Sequence, residues 1–373
     1  MTSVTVVVPT YNRAQLLDLT LNSILAQTTP ALEVIVVDDG STDETAAVCA
    51  SKAGAVRYVR QENTGRPAFG RNRGFAEAMG DWVALCDSDD IWHPNKLELQ
   101  LASIKATGAA WSVSGFGLID DAGERIPTED MGFEREFPVF RGGAHPSSQH
   151  FSRWLSASSV RGVEVFFGDA FGMLFEGNVC LTSSALISKK LVDRAGGFDT
   201  AFALAEDTEF FHRLAAHAPV AIVMSRLLDY RVGHPSMMSV RDLSPAIRLA
   251  LESLRRASEL RGDLTTTERS AYQRGRERLR LRLAYERLSS LDPGAARAAL
   301  RDGWRLGDAK SLRAVALWSA TFVPLPVLRG AHWTKRAILS GIHKPSRELR
   351  VRGPELGPKV PDSAVESSPR IGE

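Results

Sequence analysis

The chain has 373 residues, 44% hydrophobic and 24% charged, a globular composition with room for one large core and a smaller second unit, which excludes a disordered or fibrous class. Its net charge of +2 conceals a split: residues 1–240 carry 20 basic and 29 acidic side chains, whereas residues 241–373 carry 26 and 15. Cys49, Cys86 and Cys180 form no metal or redox spacing, so no disulfide framework is implied and a reduced, cytoplasmic setting is expected. No uncharged run reaches the roughly 20 residues of a membrane span. The longest, 314–328, also holds Pro324 and Pro326.

The first apolar run, 4–8, stops at Pro9 and reads as a strand, not as a leader. Runs 4–9, 32–37, 55–59 and 82–86 are short and β-branched or apolar, and segments of helical periodicity separate them. The first helix is expected over 13–26, with Leu16, Leu17, Thr20, Leu21, Ile24 and Leu25 on one face. The second is expected after Ser41-Thr42-Asp43, whose side chains can cap exposed N–H groups, and the third over 68–79. This alternation predicts an α/β fold: a mostly parallel sheet with helices on both faces and ligands at the carboxyl ends of its strands.

From 119 to 171 the periodicity fails, and a long loop is expected there, a lid or a binding insertion. Order returns over 178–187, then in a helix near 189–195, a Gly196-Gly197-Phe198-Asp199 turn and a helix over 208–216. The expected division is a catalytic unit over 1–240, a basic helical region over 241–353 and a disordered, proline-containing tail over 354–373.

Acidic clusters follow the predicted strands. Asp87-Ser88-Asp89-Asp90 comes after the buried run 82–86, where adjacent carboxylates incur repulsion and desolvation that a cation would relieve. Oxygen ligands suit Mg or Mn. Asp38-Asp39 follows the second strand, where a carboxylate can accept the imide N–H of uracil or thymine and Gly40 permits a sharp turn. Pro9, Thr10 and Tyr11 lie just past the first strand, so a base can stack on the Tyr11 ring. Arg66, Arg71 and Arg73 supply cations near the acidic strand, and the planar guanidinium fork matches diphosphate oxygens. Taken singly, each motif has an ordinary reading as a turn, a cap or a solvated charge.

In this order and spacing, VVVPTYNR, VVDDGSTDET, NTGRPAFGRNRG, GDWVALCDSDDIW, RAGGFD, AEDTEFFHRL and YRVGHPSMM resemble the inverting glycosyltransferases of family 2, which have the Rossmann-like GT-A fold. The resemblance covers 4–239. It implies Tyr11 and Asp39 at the nucleobase, Asp87 near the ribose, Asp89 on the divalent cation, Asp207 as general base, and Arg231 with His234 near the diphosphate, His234 also as a metal ligand. The expected donor-binding set is Pro9, Thr10, Tyr11, Arg13, Asp39, Arg71, Asp87, Ser88 and Arg231. Gly70 departs from the family's more frequent Ala, and 120–171 has no counterpart, so the acceptor is not implied.

The implied chemistry is one in-line displacement. A carboxylate accepts the proton of the attacking hydroxyl while a Mn or Mg ion and cationic side chains offset charge on the departing nucleoside diphosphate. Glu206 and Glu209 are alternatives to Asp207 as base. The donor expected is a nucleoside-diphosphate sugar of the UDP or dTDP type. The basic C-terminal region reads as a packed helical cap or, because aromatic and cationic residues mix over 311–344, as a peripheral contact with the inner face of a membrane. No nucleic-acid motif accompanies its charge. The competing functions are a nucleotidyltransferase, for which Pro9-Thr10-Tyr11-Asn12 lacks the glycine-rich phosphate loop, and a non-catalytic nucleotide-sugar binder.

Overall fold

The computed structural model describes residues 3–126, 151–233, 242–307 and 311–323. Strand β1 (Val4–Thr10) is buried along its whole length and lies at the centre of the N-terminal half. It pairs in parallel with β2 (Glu33–Asp38) and β4 (Trp82–Leu85), and β2 pairs in parallel with β3 (Arg57–Arg60). Both faces of these strands are covered. Val7, Val83 and Leu85 point into one core, whereas Val4, Val6, Val8 and Ala84 point into another on the opposite face. Helix α1 (Ala14–Leu25) closes the second core with Leu17, Leu21 and Ile24; α3 (Pro67–Glu77) closes the first with Ala68 and Phe75. The short α2 (Thr45–Ser51) joins β2 to β3.

Beyond β4 the sheet becomes mixed, which the sequence pattern did not indicate. After β5 (Ile91–Trp92) and α4 (Lys96–Thr107) come β6 (Trp111–Ile119), β7 (Arg125–Ile126), β8 (Ser156–Val160), β9 (Val163–Gly168), β10 (Leu186–Ser188) and β11 (Val220–Arg231). The eleven strands run in the order β3-β2-β1-β4-β10-β6-β11-β9-β8, with β5 on β11 and β7 on β6. Strand β10 lies antiparallel between β4 and β6, and β9 antiparallel to β11. The segment expected as loop therefore contains β7 and the β8–β9 hairpin, paired from Ser156↔Phe167 to Val160↔Val163. Residues 127–150 of that segment lie outside the described residues.

Helices α5 (Phe171–Glu176), α6 (Lys189–Ala195) and α7 (Glu206–His217) pack on the first core. Ser188 caps α6 by accepting from the Leu191 N–H, and Gly196, at φ +87°, ends it, as expected of that spacing. The remaining described elements are α8 (Ser244–Arg261), α9 (Thr266–Ser289), α10 (Pro293–Arg305) and α11 (Leu312–Ala320). The first core continues across residue 240: Leu254 and Ala257 of α8 and Ala271 of α9 are among its buried members. At Gly275 of α9 a Cβ would collide with the Phe175 carbonyl, so glycine is what lets α9 lie against α5. Ile247, Leu283, Leu288, Leu300 and Leu317 form a separate core among α8 to α11.

Candidate active site

The carboxyl ends of β1, β2 and β4 converge with the start of α7 and the end of β11. At the β2 end, the Asp38 carboxylate accepts from Ser41 N–H at 2.8 Å and from the Ser41 and Tyr58 hydroxyls, both at 2.5 Å, which fixes the turn. The Asn12 N–H donates to Ser41 Oγ at 2.9 Å, and Asn12 takes a positive φ of 49° while its Oδ1 accepts from Thr42 N–H. Asp43 caps two helices through the Ala14 and Thr45 N–H groups. Burial works against its charge, but those bonds and the Thr45 hydroxyl hold its carboxyl below the ordinary value.

Asp39 is buried and accepts from Gln61 Nε2 at 2.7 Å, Thr64 N–H at 3.1 Å and Gly65 N–H at 3.0 Å. It thereby fixes the 61–65 loop, and Gly40, Arg60, Gln61, Glu62 and Asn63 line an open cleft beside it. The Tyr11 side chain is 46% exposed, so its ring face is accessible at the end of β1. Pro9 and Thr10 are buried below it, and Thr10 Oγ1 has no hydrogen-bond partner among the described residues. A Cβ at Gly70 would stand 3.2 Å from Pro9 Cβ, and one at Gly74 would collide with Val7. Glycine at these positions lets α3 approach β1 closely, which accounts for the departure at Gly70.

At the β4 end the acidic residues are each engaged. Asp87 receives Arg71 Nη2 at 2.8 Å, and its own N–H donates to Ser183 Oγ at 2.9 Å. Asp89 forms an ion pair with Arg13, whose own pKa is lowered by burial although Asp87 and Asp90 act to raise it. Ser88 is buried between them. Asp90, absent from the expected set, is fully buried and accepts the Arg231 N–H at 3.1 Å; burial, then the neighbouring Asp87, pushes its carboxyl up to about 7. Arg231 is buried and spends its guanidinium on main-chain carbonyls: Nε to Asp89 at 3.1 Å and Nη1 to Asp120 at 2.8 Å and Asp121 at 3.1 Å. It braces the acidic loop from behind.

Across the site, Ala205 takes a left-handed φ of 58° and turns the chain so that Glu206 and Asp207 enter the first turn of α7. Asp207 Oδ1 accepts from Thr208 N–H at 2.6 Å. Arg71 Nη1 donates to Glu206 Oε1 at 2.9 Å, so one buried guanidinium joins Glu206 to Asp87. Burial raises the Glu206 pKa, with Arg71 opposing and Asp207 adding to the rise. Nothing in the sequence marked Glu206 and Arg71 as partners, because they are 135 residues apart. The structure thus brings Arg13, Arg71, Asp87, Asp89, Asp207 and Arg231 to one place, with Tyr11 and Asp39 at the neighbouring carboxyl ends of β1 and β2. His234 lies outside the described residues.

Asp87 and Asp89 present hard oxygens, and among the described residues no three His, Cys, Asp or Glu side chains converge. That set fits an ion of the Mg or Mn type held by one or two carboxylates plus substrate phosphates, not an all-protein cage. No described helix is long and apolar enough to cross a membrane.

Comparison with known proteins agrees with this architecture. The mannosyltransferase PcManGT from Pyrobaculum calidifontis, solved in complex with GDP-Man and Mn2+, superposes with a TM-score of 0.50 at 20% identity, covering 91% of this chain and 85% of that one. TarS 1-349 from S. aureus, in complex with UDP-GlcNAc, gives a TM-score of 0.50 at 18% identity, covering 83% and 93%. Fold and site therefore define a GT-A-class protein with a helical C-terminal region. The family model described as "Glycosyl transferase family 2" matches residues 5–160, so this part of the chain is similar to that family. An uncharacterized glycosyltransferase of Rickettsia felis is 35% identical over 135 residues, 35% of this chain and 22% of its own length. The match thus spans about a fifth of that relative.

Proposed function

We propose that the protein is a metal-dependent, inverting glycosyltransferase that moves a sugar from a UDP- or dTDP-type donor to a hydroxyl of an acceptor. The observation that carries this reading is the Arg71 bridge, which sets the acidic end of β4 against the acidic start of α7. Such a site has a donor side and a base side. On the donor side, Asp89, with Asp87 beside it, would hold a divalent cation whose positive charge offsets that of the leaving diphosphate. Tyr11 offers a stacking face for the base, and Asp39 with the 61–65 loop offers polar partners beneath it. The PcManGT and TarS complexes with nucleotide sugars support a donor of this chemical class.

On the base side, Asp207 is the proposed proton acceptor and Glu206 the residue that fixes the turn through Arg71. A hydroxyl activated by Asp207 attacks the anomeric carbon from the face opposite the leaving group, so configuration inverts. The absence of a glycine-rich phosphate loop after β1 disfavours a nucleotidyltransferase. A test is to present the purified chain with UDP-, dTDP- and GDP-sugars and Mn while following nucleotide release. Binding without release under any acceptor would favour a non-catalytic binder.

A membrane-peripheral location is a second reading, favoured by the outer stripe of α11 and the turn after it, where Leu312 is 90% and Phe322 62% exposed beside Arg313. Failure of the wild-type chain to co-sediment with phosphatidylglycerol vesicles would remove it; loss of co-sedimentation on combining Leu312→Glu with Phe322→Glu is the expected result.

A further inference from the structure

Helix α9 carries Arg274, Arg278 and Arg282 at four-residue spacing, so the three side chains follow one another along one stripe. The first is accounted for, because Arg274 Nε donates to Glu176 Oε1 at 3.0 Å. The other two are not: neither Arg278 nor Arg282 makes a hydrogen bond or an ion pair with any described residue. Arg278 is also partly buried, and that burial, with Glu176 opposing it and Arg282 reinforcing it, pushes its pKa down to about 10, leaving it charged at neutral pH. A guanidinium held among packed side chains, next to a second one, with no carboxylate of its own, costs stability in the absence of an anion. Departures of this kind are expected where a ligand supplies the missing charge.

The position of the stripe gives the departure its meaning. Gly275 and Ala271 pin α9 against α5, and Arg278 extends this line past the end of α5 at Glu176. Two residues on, Asn178 Nδ2 donates to Thr208 Oγ1 at 3.4 Å, next to Asp207. The stripe therefore runs on past the end of α5, in the direction of the segment whose Asn178 meets the start of α7 at Thr208.

We infer that Arg278 and Arg282 bind a phosphate group of the acceptor and hold it on the Asp207 side of the site. The inference rests on the glycosyltransferase reading above for the word acceptor, but not for the anion site itself. A phosphate ester can belong to a soluble acceptor or to a lipid headgroup, and the two sources are separable.

The test uses the full chain saturated with UDP and Mn, so that the donor's own phosphate positions are filled. Calorimetry with sn-glycerol 3-phosphate, with neutral glycerol as control, reports the soluble source, and co-sedimentation with phosphatidic acid against phosphatidylcholine vesicles reports the lipid one. Binding to either probe, weakened about tenfold or more by Arg278→Gln and by Arg282→Gln, with UDP affinity unchanged, is the expected result. Arg269→Gln, at an exposed position outside the stripe, should leave it intact. Arg278→Lys keeps the charge and guards against a folding defect in the Gln variant; it should retain part of the affinity. Equal binding by Arg278→Gln and wild type, no binding to either probe, or binding abolished by UDP would overturn the inference. Failure of the broader reading looks different: no donor turnover or UDP affinity, with phosphate binding intact.

Discussion

Arg71 Nη2 meets Asp87 Oδ1 at 2.8 Å within a site where the same guanidinium also holds Glu206 at 2.9 Å. Arg71 is only 4% exposed and stands 5.1 Å from the Phe198 ring centroid, so its charge is balanced by these carboxylates and not by water. Its pKa is raised: desolvation opposes the charge, but Asp87 and Glu206 outweigh it. Removing the cation strands two acids. Arg71→Met should destabilise the fold by about 3 kcal/mol or more and abolish turnover, whereas Glu206→Gln, which keeps a hydrogen-bond acceptor, should cost less. Urea unfolding of the two variants beside wild type checks the order; equal stability of Arg71→Met and wild type would show that the bridge contributes nothing.

Metal dependence is the second expectation. Asp89 is the proposed ligand and is now paired with Arg13, so Asp89→Ala should remove the cation's main protein contact and leave Arg13 unbalanced. Turnover should vanish and UDP affinity should lose its dependence on Mn. Wild-type turnover in excess chelator would count decisively against the role given to Asp89.

His212 supplies a pH signature outside the site. It is 2% exposed, with Nδ1 2.7 Å from Ser253 Oγ and Nε2 3.3 Å from the Leu174 carbonyl, and burial pushes its pKa down to about 4. The unfolded chain takes up this proton near pH 6.5, the folded one only near 4. Stability is therefore fully present above pH 6.5 and falls as pH drops towards 4, by about 3 kcal/mol from this group. His212→Gln should lose that part of the acid dependence while being less stable at pH 7. Urea midpoints from pH 4 to 7.5 measure both, and an unchanged acid slope in the variant would refute the assignment.

The C-terminal helices give a further expectation. Because Leu254, Ala257 and Ala271 belong to the first core and α8 reaches α7 through Ser253 and His212, a chain ending at residue 240 exposes that face of α7. We expect the truncated protein to be insoluble or molten, and Gly275→Val to weaken the intact chain by driving α9 off the Phe175 carbonyl. A soluble 1–240 fragment with wild-type UDP affinity would make the helices a detachable module.

Much of the N-terminal half of the sheet was legible because its signals are local. The strands β1, β2 and β4 are uninterrupted apolar runs buried on both faces, and their carboxyl ends announce where polar residues gather. Helix α6 was readable because the Gly196-Gly197 turn marks its end, where Gly196 is left-handed. The second half of the sheet was not, for physical reasons. Strand β8 reads SASSV and exposes its first four residues, so it has no apolar alternation, and β10 is three residues long and held by its neighbours on both sides. Side-chain pairing was equally hidden. Arg71 and Arg231 read as phosphate contacts, yet one bridges carboxylates and the other braces carbonyls, because distant segments fold onto them.

The most discriminating expectation concerns Asp207. It lies in the first turn of α7, behind the left-handed Ala205, and the Thr208 N–H fixes one carboxylate oxygen at 2.6 Å. Asp207→Asn keeps the size and an acceptor oxygen for that bond but removes the carboxylate proposed to take the hydroxyl proton. Donor affinity should therefore stay near wild type while turnover falls about 100- to 10,000-fold, the usual contribution of a general base. Glu206→Gln perturbs the Arg71 bridge instead, so donor affinity and turnover should fall together. With an α-linked donor the wild-type product should be β-linked, since one displacement forms no covalent sugar intermediate that could restore configuration. Calorimetry for the donor, nucleotide release for turnover and the anomeric coupling in NMR report these three quantities separately. Near-normal turnover by Asp207→Asn would move the base to Glu206 or Glu209, and a retained α configuration would replace the single displacement with a two-step mechanism.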